Sequence, residues 1–107
     1  MKNISQLLKA AQNAQARMAE LQEELGRITV EGQAGGGMVR VQLTARGELK
    51  AVSIDPSLLK PEEREILEDL IVAAHQKARA AAEERMKAEM ARLASEMGLP
   101  PGMGLPF

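Results

Sequence analysis

The stretch Val39-Arg40-Val41-Gln42-Leu43-Thr44-Ala45-Arg46-Gly47-Glu48-Leu49-Lys50-Ala51-Val52-Ser53-Ile54 decides the fold. Val39, Val41 and Leu43 alternate with Arg40, Gln42 and Thr44, the two-residue period of a strand buried on one face. Arg46-Gly47 supplies a turn, and Leu49 to Ile54 returns as a second strand, which Asp55-Pro56 ends. Upstream, Ile28 and Val30 open another strand reaching Gln33, and Ala34-Gly35-Gly36-Gly37 joins it to Val39 as a flexible connector. The three strands read as an antiparallel meander with one wet face.

Long helical patterns bracket this meander. From Asn3 to Arg27 the residues Ile4, Leu7, Ala11, Ala14, Met18, Leu21, Leu25 and Ile28 alternate steps of three and four, a seam of the coiled-coil kind. Asn3 and Gln6 read as a capping pair, and Gly26 as the helix end. A second helix is expected from Pro61 to Met97, with proline at its first position and Glu62, Glu63 and Glu65 complementing the helix dipole. Its stripe of Leu67, Leu70, Ala74, Ala78, Ala82, Met86, Met90, Leu93 and Met97 moves mostly in steps of four, so it drifts around the helix. The alanines in that stripe admit close approach of a neighbouring element.

A helix of this length spans roughly 55 Å, whereas strands this short span only about 20–25 Å. Each helix must then overreach the sheet and carry apolar side chains into water, so a second copy of the chain is expected to cover them. Residues 1–97 read as a single domain, followed over 98–107 by a flexible tail rich in Gly and Pro.

Composition narrows the function. Without cysteine, disulfides and thiolate metal sites are excluded. Phe107 is the only aromatic residue, which removes the stacking platforms that commonly hold single-stranded nucleic acid. No apolar run approaches a membrane span, and Met1-Lys2-Asn3-Ile4-Ser5-Gln6 lacks the apolar core of a signal peptide, so a cytoplasmic protein without membrane contact is expected.

The net charge of −1 conceals segregation. Lys2, Lys9 and Arg17 precede the first acid, Glu20, whereas the interval 55–69 holds six acids against Lys60 and Arg64. Lys77, Arg79, Arg85, Lys87 and Arg92 restore positive charge late in the second helix. Antiparallel helices would bring both basic segments to one end. The spacings Arg79/Glu83, Glu83/Lys87 and Arg85/Glu89 also permit ordinary surface ion pairs, each contributing only a few tenths of a kcal/mol. Cations at the start of helix one, with no acid beside them, point to an anionic partner.

Other features carry less. Gly35-Gly36-Gly37 lacks the Gly-Lys-Ser/Thr ending and the following helix of a phosphate loop. His75 is the only histidine and reads as a helix-surface residue. Glu62, Glu63, Glu65, Glu68 and Asp69 point around one helix rather than converging, so no catalytic site, metal, cofactor or small-molecule substrate is expected. Arg40, Arg46 and Lys50 read as decoration of the sheet's wet face, and Met86, Met90 and Met97 as core, with a Met-lined partner groove as the alternative.

Several segments together resemble the YbaB/EbfC family of nucleoid-associated proteins. They are Gly37-Met38-Val39-Arg40-Val41, the turn at Gly47, Val52-Ser53-Ile54-Asp55-Pro56, Leu67-Glu68-Asp69-Leu70-Ile71-Val72-Ala73-Ala74 and the terminal Leu105-Pro106-Phe107. Lys60 stands where an acidic cap is expected. The resemblance implies an α+β fold of order α-β-β-β-α, with a three-stranded antiparallel sheet and two long projecting helices, assembled as a homodimer. It also implies binding of double-stranded DNA in the bacterial nucleoid, with effects on compaction or gene expression. On that reading Lys2, Lys9, Arg17, Arg79, Arg85, Lys87 and Arg92 contact phosphates, and two arms from each protomer straddle the duplex. A scaffold that grips a helical partner protein is the competing expectation.

Overall fold

Alternation through Val39–Thr44 places Val39, Val41 and Leu43 on the buried face of a strand, and the remaining elements assemble around it. In the computed structural model, which describes residues 2–98, the order is α1 (Lys2–Arg27), β1 (Thr29–Ala34), β2 (Val39–Thr44), β3 (Leu49–Ile54) and α2 (Arg64–Glu96). The Lys2 side chain and the tail beyond Gly98 lie outside the described residues. The sheet has the order β1-β2-β3 and is antiparallel throughout.

Both hairpins owe their geometry to glycine. Gly35, Gly36 and Gly37 have φ of 64°, 66° and 91°, a succession of left-handed residues that other side chains resist. They close the β1–β2 hairpin in the register Ala34↔Val39. In the second hairpin Gly47 has φ 94° and donates its N–H to the Thr44 carbonyl at 2.8 Å. The β2–β3 register shifts between Gln42↔Ala51 and Leu43↔Leu49, which leaves Lys50 as the extra residue of a bulge in β3, and Leu43 and Thr44 at the end of β2 are both buried. The Thr44 hydroxyl accepts the Glu48 N–H at 3.1 Å, which satisfies this buried polar group.

One core lies between α2 and the sheet. Ala74 and Ala78 pack with Ala34, Val39, Val41, Leu43 and Leu58. Asp55 Oδ1 accepts the Ser57 N–H at 2.9 Å, capping a 3-10 turn at Pro56–Leu58 that delivers Leu58 into this core. A second 3-10 turn, Pro61–Glu63, precedes α2, and Lys60 at its start makes no side-chain cap. The helix rests mainly on β1 and β2. Leu49 and Val52 pair with Leu43 and Val41 and share their face, yet they remain 61% and 42% exposed.

A second core joins the helices. Leu21 and Leu25 of α1 pack with Ala45 and Leu93, and Met86, Met90 and Met97 pack against them. This is where the drifting stripe of α2 arrives once it leaves the sheet. Arg17 meets Glu96 while Glu24 meets Arg92, so the helices run antiparallel. Residues 2–16 of α1 therefore continue past the end of α2 for roughly 22 Å at 1.5 Å per residue. The radius of gyration is 19.5 Å over a 72 Å long axis, against about 13 Å for a compact domain of this size.

Three local expectations change. α1 begins before Asn3, so Asn3 lies inside the helix rather than capping it. Gly26 does not have a positive φ; its missing Cβ instead leaves room for the Arg46 guanidinium, whose Nη1 would sit 3.2 Å from such an atom. The helices also form one tapered arm per chain rather than two, because the Leu21/Leu25/Leu93 contact zips them together.

Candidate nucleic-acid interface

The arm is the element on which sequence and geometry converge. Among the described residues no second helix covers the seam of α1 over 2–16, and Ile4, Leu7 and Leu8 are 60%, 68% and 60% exposed. Lys9 lies on this uncovered length, exposed and without an ion pair among the described residues. Lys87, on the arm's α2 side, is likewise exposed and unpaired among the described residues; the anticipated Glu83/Lys87 pair does not form.

The arginines behave differently. Arg17 stands 3.9 Å from Glu20 and 3.4 Å from Glu96. The expectation that the leading cations lack acidic partners thus fails for Arg17, because antiparallel packing brings an acid from the far end of α2. Arg92 is the hub of the junction, 2.7 Å from Glu89, 3.3 Å from Glu24 and 3.6 Å from Glu96. Arg85 donates to the other Glu89 oxygen at 3.2 Å. These donated hydrogen bonds, from Arg85 first and then Arg92, hold the Glu89 carboxyl below the usual glutamate value. The same contact raises Arg92 above the usual arginine value.

The expected phosphate contacts therefore separate by environment. Lys9 and Lys87 are free cations, while Arg17, Arg85 and Arg92 first neutralise Glu89, Glu96 and Glu24 and tie the helices together. Arg79 is 3.5 Å from Glu83 and lies nearer the sheet, thirteen residues or about 20 Å along the helix from Arg92. There it borders a cavity with Arg46 and His75, two residues that the sequence pattern assigned to bland surface. No spacing rule could have joined them: Arg46 reaches α2 only through the β2–β3 turn.

A pleated base carrying a tapered arm with free lysines defines an elongated α+β binding domain. The chain belongs to the YbaB/EbfC DNA-binding family, whose family model matches residues 1–97. It is 51% identical to a nucleoid-associated protein of Rhodospirillum rubrum over 107 residues, the full length of both chains. A nucleoid-associated protein of Afipia carboxidovorans is 56% identical over 99 residues, covering 92% of this chain and 93% of that one. Among solved structures, that of an uncharacterized protein from Helicobacter pylori superposes with a TM-score of 0.72 at 31% identity, covering 87% of this chain and 94% of the other. None of the described helices is long and apolar enough to cross a membrane.

Proposed function

We propose that this protein binds duplex DNA in the bacterial nucleoid as a homodimer, through backbone phosphate contacts from its helical arms. The observation that carries this reading is the α1 extension, where a free lysine and an uncovered apolar stripe share one helix. Phosphate contacts supply affinity and orientation without sequence information, which suits an arm lacking a recognition helix. The exposed stripe of Ile4 and Leu7 and the uncovered row of Leu49 and Val52 are the surfaces a second copy would bury. Two arms in one particle multiply weak contacts through avidity and leave room for effects on nucleoid compaction and expression. The relatives named nucleoid-associated support the same assignment.

Titration of unrelated duplexes at increasing salt tests the proposal. Affinity should fall steeply, with a slope set by the number of phosphates neutralised, and single strands should bind more weakly. Salt-independent affinity, or no binding at low salt, would overturn it.

The exposed Ile4, Leu7 and Leu8 also favour a second reading, in which the arm grips a helical partner protein. Reversing the charge of Lys9 separates the two. DNA binding should weaken, whereas an apolar contact should persist.

A further inference from the structure

Between the β2–β3 turn and the middle of α2 lies a cavity of about 240 Å³. Arg46, His75 and Arg79 line it together with one acid, Glu83, and Ala82 and Met86 contribute apolar wall. It is distinct from the arm junction, where Arg85 and Arg92 donate hydrogen bonds to Glu89.

The cations here are loosely held. Arg46 is 3.7 Å from Glu48 and Arg79 is 3.5 Å from Glu83. Both separations exceed the roughly 2.7–2.9 Å of a charge-assisted hydrogen bond. Neither guanidinium, nor the His75 imidazole, donates a hydrogen bond among the described residues. Yet the wall is built rather than fluid. The Ala45 N–H donates to the carbonyls of Leu25 at 3.1 Å and Ile28 at 2.9 Å, which anchors the turn to the end of α1. Arg46 then lies across Gly26, where a Cβ would come within 3.2 Å of its Nη1.

We propose that this cavity binds a phosphate group. A planar carboxylate is satisfied by a single arginine fork, whereas a tetrahedral phosphate accepts donors from several directions at once. Donors here come from two separate elements, the turn and the helix. Two arginines and one acid, Glu83, line the cavity itself, and Glu48, the partner of Arg46, stands outside that lining. Its volume falls below the roughly 300–1,000 Å³ of pockets that enclose whole organic ligands. A phosphate or pyrophosphate group fits, with the rest of any larger molecule outside. The phosphate could belong to a duplex backbone or to a free polyphosphate. The site does not depend on the arm reading.

Inorganic pyrophosphate is the probe, with the His75 imidazole and the Arg46 and Arg79 Nε–H resonances followed by NMR in the full chain. Saturable shifts are expected with a dissociation constant of about 1 mM or tighter. The R46Q/R79Q double variant should weaken binding at least roughly tenfold. Arg79→Gln alone, on an exposed helix position, gives the same reading should the double variant lose native circular dichroism. Non-saturable shifts, or affinity unchanged in R79Q, would overturn the site. Displacement of pyrophosphate by a short duplex assigns the site to backbone phosphate, and retention assigns it to a free anion. If Lys9→Gln lowers the salt slope of duplex binding while the pyrophosphate shifts remain, the two sites are separate.

Discussion

Gly32 on β1 lies directly against Ala78 on α2: a Cβ placed on Gly32 would overlap the Ala78 backbone nitrogen and the Ala74 carbonyl oxygen. This contact sets the distance between helix and sheet, and with it the direction in which the rest of α2 leaves the sheet to form the arm.

Gly32→Ala should therefore destabilise the fold by about 3 kcal/mol, since helix and strand backbones must separate to admit one methyl group. Gly36→Ala meets no atom within 4 Å but forces a non-glycine residue to φ 66°. Its cost should be about 1–2 kcal/mol, from left-handed backbone alone. Urea denaturation of the two variants gives the comparison, and equal midpoints would contradict it.

Leu25 and Leu7 occupy the same seam in different surroundings. Leu25 is fully buried in the helix junction, so Leu25→Ala should cost about 3 kcal/mol. Leu7 is 68% exposed in the single chain, and Leu7→Ala should change that chain's stability by less than about 0.5 kcal/mol. If a second copy covers the seam, L7A will instead weaken self-association, read by sedimentation equilibrium across a concentration series. Val52→Lys on the uncovered strand gives an independent check. Unchanged association in both variants would place any dimer contact elsewhere.

Acid should release the arm before it unfolds the sheet core. Hydrogen bonds from Arg85 and Arg92 hold the Glu89 carboxyl below its ordinary value. Its contribution is thus complete at neutral pH, and is lost as pH falls from the unfolded-state glutamate value through the folded-state one. Glu89→Gln should remove this part of the acid transition while leaving the sheet amides unaffected. The observable is NMR shift change at Leu21 and Leu93 against that at Val41 during an acid titration.

Among the expected DNA contacts, lysines and arginines should differ in kind. Lys9→Gln and Lys87→Gln each remove an unpaired cation, so each should lower the salt slope of duplex binding by about one with no change in thermal midpoint. Arg92→Gln leaves Glu24 and Glu96 without this partner and should lower the midpoint as well. Fluorescence anisotropy beside thermal melts distinguishes these classes. Identical behaviour of K9Q and R92Q would show that the ion network does not matter to the arm.

Period-two alternation at Val39–Leu43, glycine turns at 35–37 and 47, and apolar seams at helical spacing were enough to determine the order α-β-β-β-α and the overreach of its helices. Those signals are local: each depends on which side of a strand or helix a residue occupies, and the chain itself sets that period. Pairing between residues distant in sequence was decided only by the tertiary structure. That Arg17 meets Glu96, that Arg46 reaches the helix carrying His75 and Arg79, and that β3 is left bare all depend on where α2 crosses the sheet and on which way α1 folds back. Those placements come from close backbone contacts such as Gly32 on Ala78, which leave no periodic trace in the sequence.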